Sequence, residues 1–195
     1  TNTWVAIINW LNDFIQPIKN DYDLVFLDAN PSFSMYTQIA IATSTKVVFP
    51  VMADDSSRRA IQNAFSLIYG LKLPSEIYSK YAFAEKLKEV DMQLPKVYMI
   101  LKNRLTQYMG AASAYATVLQ QIDKDILSLL ETYPNIFDFL HIDNGIIDVR
   151  DFQTTGVVSS ARGCPLQKLR AGRLDLMGKR VAIKEEYRLN AVIPQ

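Results

Sequence analysis

An apolar run that ends on a carboxylate, within residues 21–32, constrains the fold more than any other feature of the sequence. The run covers residues 24–27, Leu-Val-Phe-Leu, and is followed by Asp28 and by the turn-forming sequence Asn-Pro-Ser. Consecutive apolar residues without alternation are typical of a short strand that is covered on both faces. We therefore expect a buried strand at residues 24–27, of the kind found in parallel sheets.

The position of Asp28 at the end of this expected strand suggests a binding role. In open α/β sheets, ligands bind at the carboxyl ends of the strands. A carboxylate there can hold a magnesium ion, usually through water, beside the phosphates of a nucleotide. Taken alone, the stretch favours a simpler interpretation, in which Asp28 ends an ordinary strand and caps the next helix. The choice between a binding role and a structural role for Asp28 therefore depends on motifs elsewhere in the chain.

Composition and charge exclude few classes of protein. The chain has 195 residues, enough for a sizeable core, and its formal net charge of +1 indicates no particular partner. Its single cysteine, Cys164, excludes a disulfide within the chain and suits a reducing cytoplasm. Neither a membrane-spanning run nor a signal peptide is visible, so we expect no membrane partner. Because the sequence starts with Thr1 rather than Met, it can be a piece of a longer protein.

Local patterns predict strands that alternate with helices. We expect helices at residues 4–18, 33–42, 58–69 and 111–130, and strands at residues 24–27, 46–51, 96–101 and 137–142. Pro17 should close the first helix early, and Ser32 should cap the second. The acidic and hydroxyl residues at 54–57 should start the third helix, and Gly70 should end it. Residues 71–93 are expected to be a partly helical excursion.

The alternation of strands and helices indicates the fold class. It implies βαβ units, and hence an α/β fold with a mostly parallel sheet and helices on both faces. We assign residues 1–158 to the α/β core and residues 159–195 to a basic C-terminal segment that packs on it. Beyond residue 142 we expect irregular structure, in which glycines mark the turns.

Four motifs, taken in order, resemble the ParA/MinD family of deviant P-loop ATPases, which segregate plasmids and chromosomes or position cell machinery. The first motif is Tyr22-Asp-Leu-Val-Phe-Leu-Asp28-Ala-Asn-Pro-Ser32. The others are a strand that ends near Pro50, the pair Asn103-Arg104 after a third strand, and residues 150–166, which end in Gly-Cys-Pro-Leu. Each motif is short, but their order is specific. The likeness extends over residues 21–169.

The resemblance implies roles for particular residues. Asp28 would be the catalytic carboxylate near the attacking water and would hold magnesium indirectly, while Asn30, Pro31 and Ser32 would form a moving loop. Asn103 would bind the adenine edge with Arg104 beside it, and Asp28 and Asn103 should converge on one cleft at the rim of a parallel sheet. Without the other motifs, the last two residues would be a turn residue and a solvated charge. The resemblance also implies ATP and Mg as cofactors, a homodimer, a ParB-type partner, nonspecific DNA and a nucleoid-associated location.

One family feature is missing from the sequence. The Gly-rich phosphate-binding loop with two lysines, which would precede the Asp28 segment, is absent. The nearest pattern, at residues 172–180, has one residue too many and lacks the hydroxyl that binds magnesium. We therefore expect this chain to be the C-terminal part of a longer ATPase, unable to hydrolyse ATP alone. Without its first strand, the sheet would leave a gap, bring other strands together or borrow an edge from another copy.

The C-terminal region is basic. Residues 159–189 contain eight Lys or Arg and three Asp or Glu, a balance of 8 − 3 = +5, which leaves −4 for the rest of the chain. Such a cluster can bind phosphate backbones, and ParA-like proteins are similar in using C-terminal basic residues for DNA binding. The candidates are Lys168, Arg170, Arg173, Lys179 and Arg180. A solvated surface is an equal alternative, whereas a terminal membrane helix is disfavoured because the apolar residues form no broad stripe.

Two classes of function remain open. The first is an ATP-dependent DNA-segregation switch, and the second is a nucleotide-independent interaction or scaffold module derived from the same fold. Acidic residues near His141 are interpreted as loop residues rather than metal ligands, because the sequence has one histidine. Cys164 is interpreted as a structural cysteine. A phosphate-binding loop encoded before Thr1 would favour the first class.

Overall fold

The computed structural model describes residues 3–30, 32–105, 113–150, 152–176 and 178–185. The chain divides into two compact units. The first unit comprises Thr1–Lys102 and Ala114–Ile147, and the second comprises Asn103–Ser113 and Asp148–Gln195. No helix in the described part of the chain is both long enough and apolar enough to cross a membrane.

The described chain contains both helices and strands, and several helices follow one another without a strand between them. The elements up to residue 150 are α1 (Thr3–Ile15), α2 (Met35–Thr43), β1 (Lys46–Val51), α3 (Asp55–Tyr69), α4 (Glu76–Lys80), α5 (Phe83–Lys88), β2 (Lys96–Leu105), α6 (Ser113–Thr132), α7 (Ile142–Gly145) and β3 (Ile146–Arg150). The three strands form one sheet in the order β1-β2-β3. β1 and β2 are parallel, and their paired ends are Lys46 with Lys96 and Val51 with Lys102. The α/β fold class with a parallel sheet is therefore confirmed.

The core of the first unit is built around aromatic side chains that lie between the sheet and the helices. Phe65 of α3 is 1% exposed, and its ring centroid lies 5.6 Å from that of Phe49 in β1 and 5.8 Å from that of Phe137. In the same cluster are buried residues of β2 and α6, among them Ile100 and Ile122. The inner face of α3 packs against β1 through these rings. This packing fixes the position of the turn that follows β1.

Three local signals have the predicted effect. α1 ends at Ile15 and gives way to a short 3-10 turn at Gln16–Ile18, because Pro17 has no N–H to continue the α-helix. The Asp54 side chain accepts a hydrogen bond from the Ser57 N–H at 2.7 Å and so caps α3. Gly70 ends the same helix in the left-handed region, with φ of 69°.

The prediction of a buried strand at residues 24–27 is wrong. Residues 24–30 form neither helix nor strand, and Leu24 and Phe26 are 67% and 84% exposed. A strand needs a neighbour for its backbone groups as well as an apolar sequence. The sheet of the described chain consists of β1, β2 and β3, and residues 24–27 pair with none of these strands.

The predicted strand at residues 137–142 is also wrong. Among the described residues, a single isolated bridge joins Phe137 to Val97, and β3 forms later, at Ile146–Arg150. Phe139 turns inward instead and packs against the backbone of Gly145, where a Cβ would collide with its ring. The apolar residues at 137 and 139 therefore fill the core without extending a ladder.

The second unit is more regular than predicted. It contains α8 (Gln153–Arg162), a 3-10 turn at Leu166–Lys168, and the strands β4 (Gly172–Leu176) and β5 (Lys179–Ile183). The two strands pair antiparallel, and Gly178 in the turn between them has φ of 78°. Val158, Leu169 and Ile183 form a small core. Sequence patterning missed this hairpin because the alternation of apolar residues is only two residues long in each strand.

Candidate nucleotide site

Asp28 lies on an exposed part of the first unit that forms neither helix nor strand. Its side chain is exposed, and it makes no hydrogen bond or ion pair within the described part of the chain. A carboxylate with both oxygens accessible to water has the chemistry needed to hold the water ligands of a magnesium ion. Because residues 24–27 do not form the expected strand, the carboxylate is presented by a loop instead.

The loop after Asp28 is fastened to α2. Asn30 Oδ1 accepts a hydrogen bond from the Ser32 N–H at 3.0 Å, and the Asn30 carbonyl accepts one from Thr37 Oγ1 at 3.0 Å. Thr37 is 8% exposed, so its hydroxyl is shielded from water. The structure thus brings Asn30 and Ser32 together, whereas Pro31 lies outside the described residues. The cap of α2 is Ser34 rather than the predicted Ser32.

The turn that leaves β1 is closed by hydrogen bonds. In addition to the Asp54 cap, the Met52 N–H donates to Ser57 Oγ at 3.2 Å. Two arginines follow in the first turns of α3, and Asp55 accepts a bond from Arg58 at 3.1 Å and from Arg59 at 2.7 Å. These bonds hold the pKa of Asp55 below its ordinary value, with Arg58 the larger cause.

Arg58 also ties α3 to α6. Its guanidinium lies 3.2 Å from the carboxylate of Asp125, which also accepts a bond from Gln62 at 2.9 Å. The bonds to Asp55 and then to Asp125 raise the pKa of Arg58 above its ordinary value. The N-terminal part of α3 is therefore fixed beside α6, next to the exit of β1.

A lysine lies where β2 passes the end of β1. Lys102 is 8% exposed and is paired in register with Val51, the last residue of β1. Its ammonium donates a hydrogen bond to Asp123 Oδ2 at 2.8 Å and lies 2.7 Å from Oδ1. Because parallel strands end at the same rim, this buried cation marks the rim where ligands bind in α/β sheets.

Asn103 and Arg104 follow Lys102 within β2, which extends to Leu105 rather than ending before them as predicted. The Asn103 side chain is exposed. Asp28 belongs to the first unit and Asn103 to the second. Their convergence on one cleft, and their contacts with a nucleotide, stay predictions.

The basic residues of the second unit lie around the hairpin. Lys168, Arg170, Arg173, Lys179 and Arg180 are all exposed. The register pairs Arg173 with Ala182 and Asp175 with Arg180, so both arginines occupy the face of the hairpin opposite the apolar residues. The carbonyl of Asp175 accepts a hydrogen bond from Arg162 of α8 at 3.1 Å. The hairpin thus brings Arg173 and Arg180 to one face, whereas Lys179 is paired with Leu176 on the other.

A comparison with known families supports a nucleotide-binding module. Residues 5–78 match the family model described as an AAA domain. This match begins in α1, includes Asp28 and β1, and ends within α4. It supports an ATPase-like module related to the P-loop ATPases. No curated protein and no solved structure matches the chain.

Metal ligation does not define a site by itself. Over the described ranges, no three His, Cys, Asp or Glu side chains are grouped so that they could hold a metal ion. Any magnesium at Asp28 would therefore need oxygen ligands from water and from a nucleotide.

Sequence reasoning missed the residues that fix the rim. Lys102, Asp123, Arg58 and Asp125 form contacts between elements distant in sequence. The spacing of Asp55 with Arg58 and Arg59 is typical of ion pairs on a helix, and this pattern is visible in the sequence. The partners on α6 had no local signal, because their proximity follows from the packing of α3 and α6 on the sheet.

Proposed function

We propose that this chain is the C-terminal part of a ParA-like partitioning ATPase, which couples ATP binding and hydrolysis to dimerisation and nonspecific DNA binding in plasmid or chromosome segregation. The proposal rests on the AAA-domain match over residues 5–78, because that match includes the Asp28 motif. The parallel pairing of β1 with β2 supports it, since this arrangement aligns the carboxyl ends of the strands.

In this proposal Asp28 is the catalytic carboxylate and an indirect ligand of magnesium. Its exposure fits that role, because a metal-bound water and an attacking water both need access to it. ATP with Mg²⁺ would supply the phosphoryl group and neutralise charge when bound. Asp28 orients water, while Asn103 accepts and donates hydrogen bonds at the adenine edge and Arg104 flanks it.

Asn30, Pro31 and Ser32 form the switch loop of the proposal. The bond from the buried hydroxyl of Thr37 to the Asn30 carbonyl holds the loop against α2 in this structure. Any movement of the loop toward a nucleotide has to break or stretch this bond. Thr37 is thus the residue through which the loop state would be transmitted to α2.

The experiment that tests the catalytic role is an ATPase assay on the longest protein encoded by the gene. We expect Asp28→Ala to lower the rate by a factor of about 10² or more while ATP binding persists. Asp23→Ala is the matched control, because this residue is an exposed aspartate of the same segment. Equal rates for wild type and Asp28→Ala would contradict the role.

The DNA-binding part of the proposal has its own test. DNA binding of the 195-residue chain is measured by fluorescence anisotropy at several salt concentrations. Replacing Lys168, Arg170 and Arg173 by Ala should flatten the salt dependence, by about 0.9 in slope for each phosphate that the variant no longer neutralises. Lys80→Ala, an exposed lysine of the first unit, serves as control. An unchanged slope would remove the proposal that this surface binds DNA.

A ParB-type partner, a homodimer and a nucleoid-associated place in the cytoplasm belong to the same proposal. A second candidate function is a nucleotide-independent interaction or scaffold module. The exposed apolar residues of the Asp28 segment favour it, because Leu24 and Phe26 present surface suited to a protein partner. An absence of ATP binding by the longest encoded protein, measured by calorimetry, would support this candidate over the first.

A further inference from the structure

The two faces of the hairpin formed by β4 and β5 differ in chemistry. On the inner face, Leu174, Val181 and Ile183 belong to the small core that contains Val158 of α8. The residues that alternate with them in the two strands are exposed: Arg173, Asp175, Arg180 and Ala182. Because successive residues of a strand point to opposite faces, these four residues share the outer face. The hairpin is therefore a two-stranded ribbon supported from behind, with its polar face turned to solvent.

Two arginines lie diagonally across the outer face. Arg180 is paired with Asp175, and Arg173 lies two residues before Asp175 on the same strand. The Cα atoms of such diagonal neighbours are about 7–8 Å apart, which is close to two base steps of about 3.4 Å along one DNA strand. Within the described residues, neither guanidinium takes part in an ion pair or a hydrogen bond. Both are thus available to a ligand outside the chain.

An aspartate shares the outer face with the two arginines. The Asp175 carboxylate accepts a hydrogen bond from the Gly178 N–H at 3.0 Å, which holds it near the turn. A carboxylate at this position repels phosphate groups. In the major groove, however, a carboxylate can accept a hydrogen bond from the amino group of cytosine, while an arginine donates two bonds to guanine. The combination therefore suits the edges of G·C base pairs better than a row of phosphates.

The ribbon also has suitable dimensions for the major groove of duplex DNA. Each strand has five residues, a length of about 16 Å, and the groove is about 12 Å wide and admits a two-stranded ribbon. Ala182, opposite Arg173, has a small side chain, so the outer face can approach the base edges closely. Lys168 and Arg170 precede β4 and are exposed, which suits them to phosphates beside the groove.

We propose that the hairpin of β4 and β5 enters the major groove of duplex DNA, where Arg173 and Arg180 bind guanines. This inference rests on the DNA-binding part of the proposed function. It adds a preference for G·C pairs, because phosphate contacts alone carry no sequence information. The balance of +5 over residues 159–189 attracts the unit to DNA of any sequence, and the two arginines choose among the sequences.

Methylation interference tests which groove is occupied. Short random duplexes are enriched by binding to the 195-residue chain and then lightly methylated with dimethyl sulfate, which modifies guanine N7 in the major groove and adenine N3 in the minor groove. We expect guanine N7 methylation to be depleted from the bound duplexes by about fivefold or more, and adenine N3 methylation to be unchanged. Depletion at adenine N3, or binding without depletion at guanine N7, overturns this inference and leaves DNA binding itself intact.

Two double variants separate base contacts from phosphate contacts. Arg173→Ala with Arg180→Ala should abolish the depletion at guanine N7, while weaker binding to the pool persists at low salt. Lys168→Ala with Arg170→Ala is the matched control, because it removes the same charge from exposed positions outside the ribbon. It should weaken binding and keep the depletion. An equal effect of both pairs on the depletion would show that the arginines act only as charges, and would overturn the inference.

Double-stranded RNA of the enriched sequence provides a test of shape. The major groove of A-form RNA is deep and too narrow for side chains to read, so we expect the RNA to bind more weakly by about fivefold or more. RNA that binds as tightly as DNA would overturn the inference. A wild-type chain that binds no duplex even at low salt would overturn both the inference and the DNA-binding part of the proposed function.

Discussion

The turn after β1 and the segment before α2 have similar sequences but different structures. In each, an apolar run is followed by one or two aspartates and then by at least one serine, at residues 47–57 and at residues 24–32. The first run is a paired strand whose exit is capped by Asp54. The second forms neither helix nor strand, and its residues Leu24 and Phe26 are exposed. The comparison teaches that a helix cap depends on residues three positions apart, whereas a strand depends on a distant partner.

The largest expected difference concerns two aromatic residues: Phe65 of α3, which packs on Phe49 of the first run, and Phe26 of the second run. Phe65→Ala removes a side chain that is 1% exposed and should lower the free energy of unfolding by about 3–5 kcal/mol. Phe26→Ala removes one that is 84% exposed and should change the stability of the monomer by less than about 0.5 kcal/mol. Urea unfolding at low protein concentration measures both. Equal losses would show that residues 24–27 are buried in solution.

The next difference concerns the two carboxylates that end the runs. Asp54→Ala should cost about 1 kcal/mol of unfolding free energy, because the Ser57 N–H loses its acceptor. Asp28→Ala should be neutral within about 0.5 kcal/mol, since no contact of the described chain depends on that carboxylate. Thermal unfolding followed by circular dichroism measures the pair. A large loss for Asp28→Ala would mean that Asp28 caps a helix and is not free to act in a site.

A smaller effect is expected at the fastening of the Asp28 loop. Thr37→Val keeps the shape of the side chain and removes the hydroxyl that donates to the Asn30 carbonyl. We expect a loss of about 1 kcal/mol or less, because the carbonyl can bond to water once the loop moves. Thr132→Val, whose hydroxyl donates to the Ser128 carbonyl on an exposed helix, is the control. Faster hydrogen exchange at residues 28–34 should accompany the loss at Thr37 only.

The smallest effect is the pH dependence at Asp55. Its pKa is lowered in the folded chain, so the unfolded chain binds more protons as the pH falls. The stabilisation is therefore present above the unfolded pKa near 3.8 and is lost as the pH falls through the lower folded pKa. The difference in unfolding midpoint between wild type and Asp55→Asn should shrink as the pH falls from about 5 to about 2. A difference that grows on acidification would contradict this assignment.

These contrasts show how much of the molecule the sequence predicts. The caps at Asp54 and Gly70, the break at Pro17 and the strand at Lys46–Val51 follow from local chemistry, and the structure has all of them. No strand forms at residues 24–27. A strand needs a neighbouring strand to pair with, and the local sequence does not show where that neighbour lies. The contacts of Arg58 and Lys102 with α6 depend on packing between distant elements, so no local pattern reveals them.

The second unit also shows that a strand depends on its pairing partner, because here a strand pair forms where none was expected. Its hairpin was predicted to be irregular, yet β4 and β5 pair along their whole length. Leu174, Leu176 and Ile183 face its core, while arginines occupy the other face. The alternation of apolar residues is present in each strand but short. Pairing between the two strands provides the backbone hydrogen bonds that neither segment can form alone.

The central proposal is that Asp28 and Asn103 both take part in binding a nucleotide. Paramagnetic broadening of backbone amide signals by Mn²⁺ and ATP, in the longest protein encoded by the gene, tests it most directly. We predict that Mn²⁺ with ATP broadens the signals of both Asp28 and Asn103. Broadening at only one of the two residues, or the same broadening with Mn²⁺ alone, would contradict the claim.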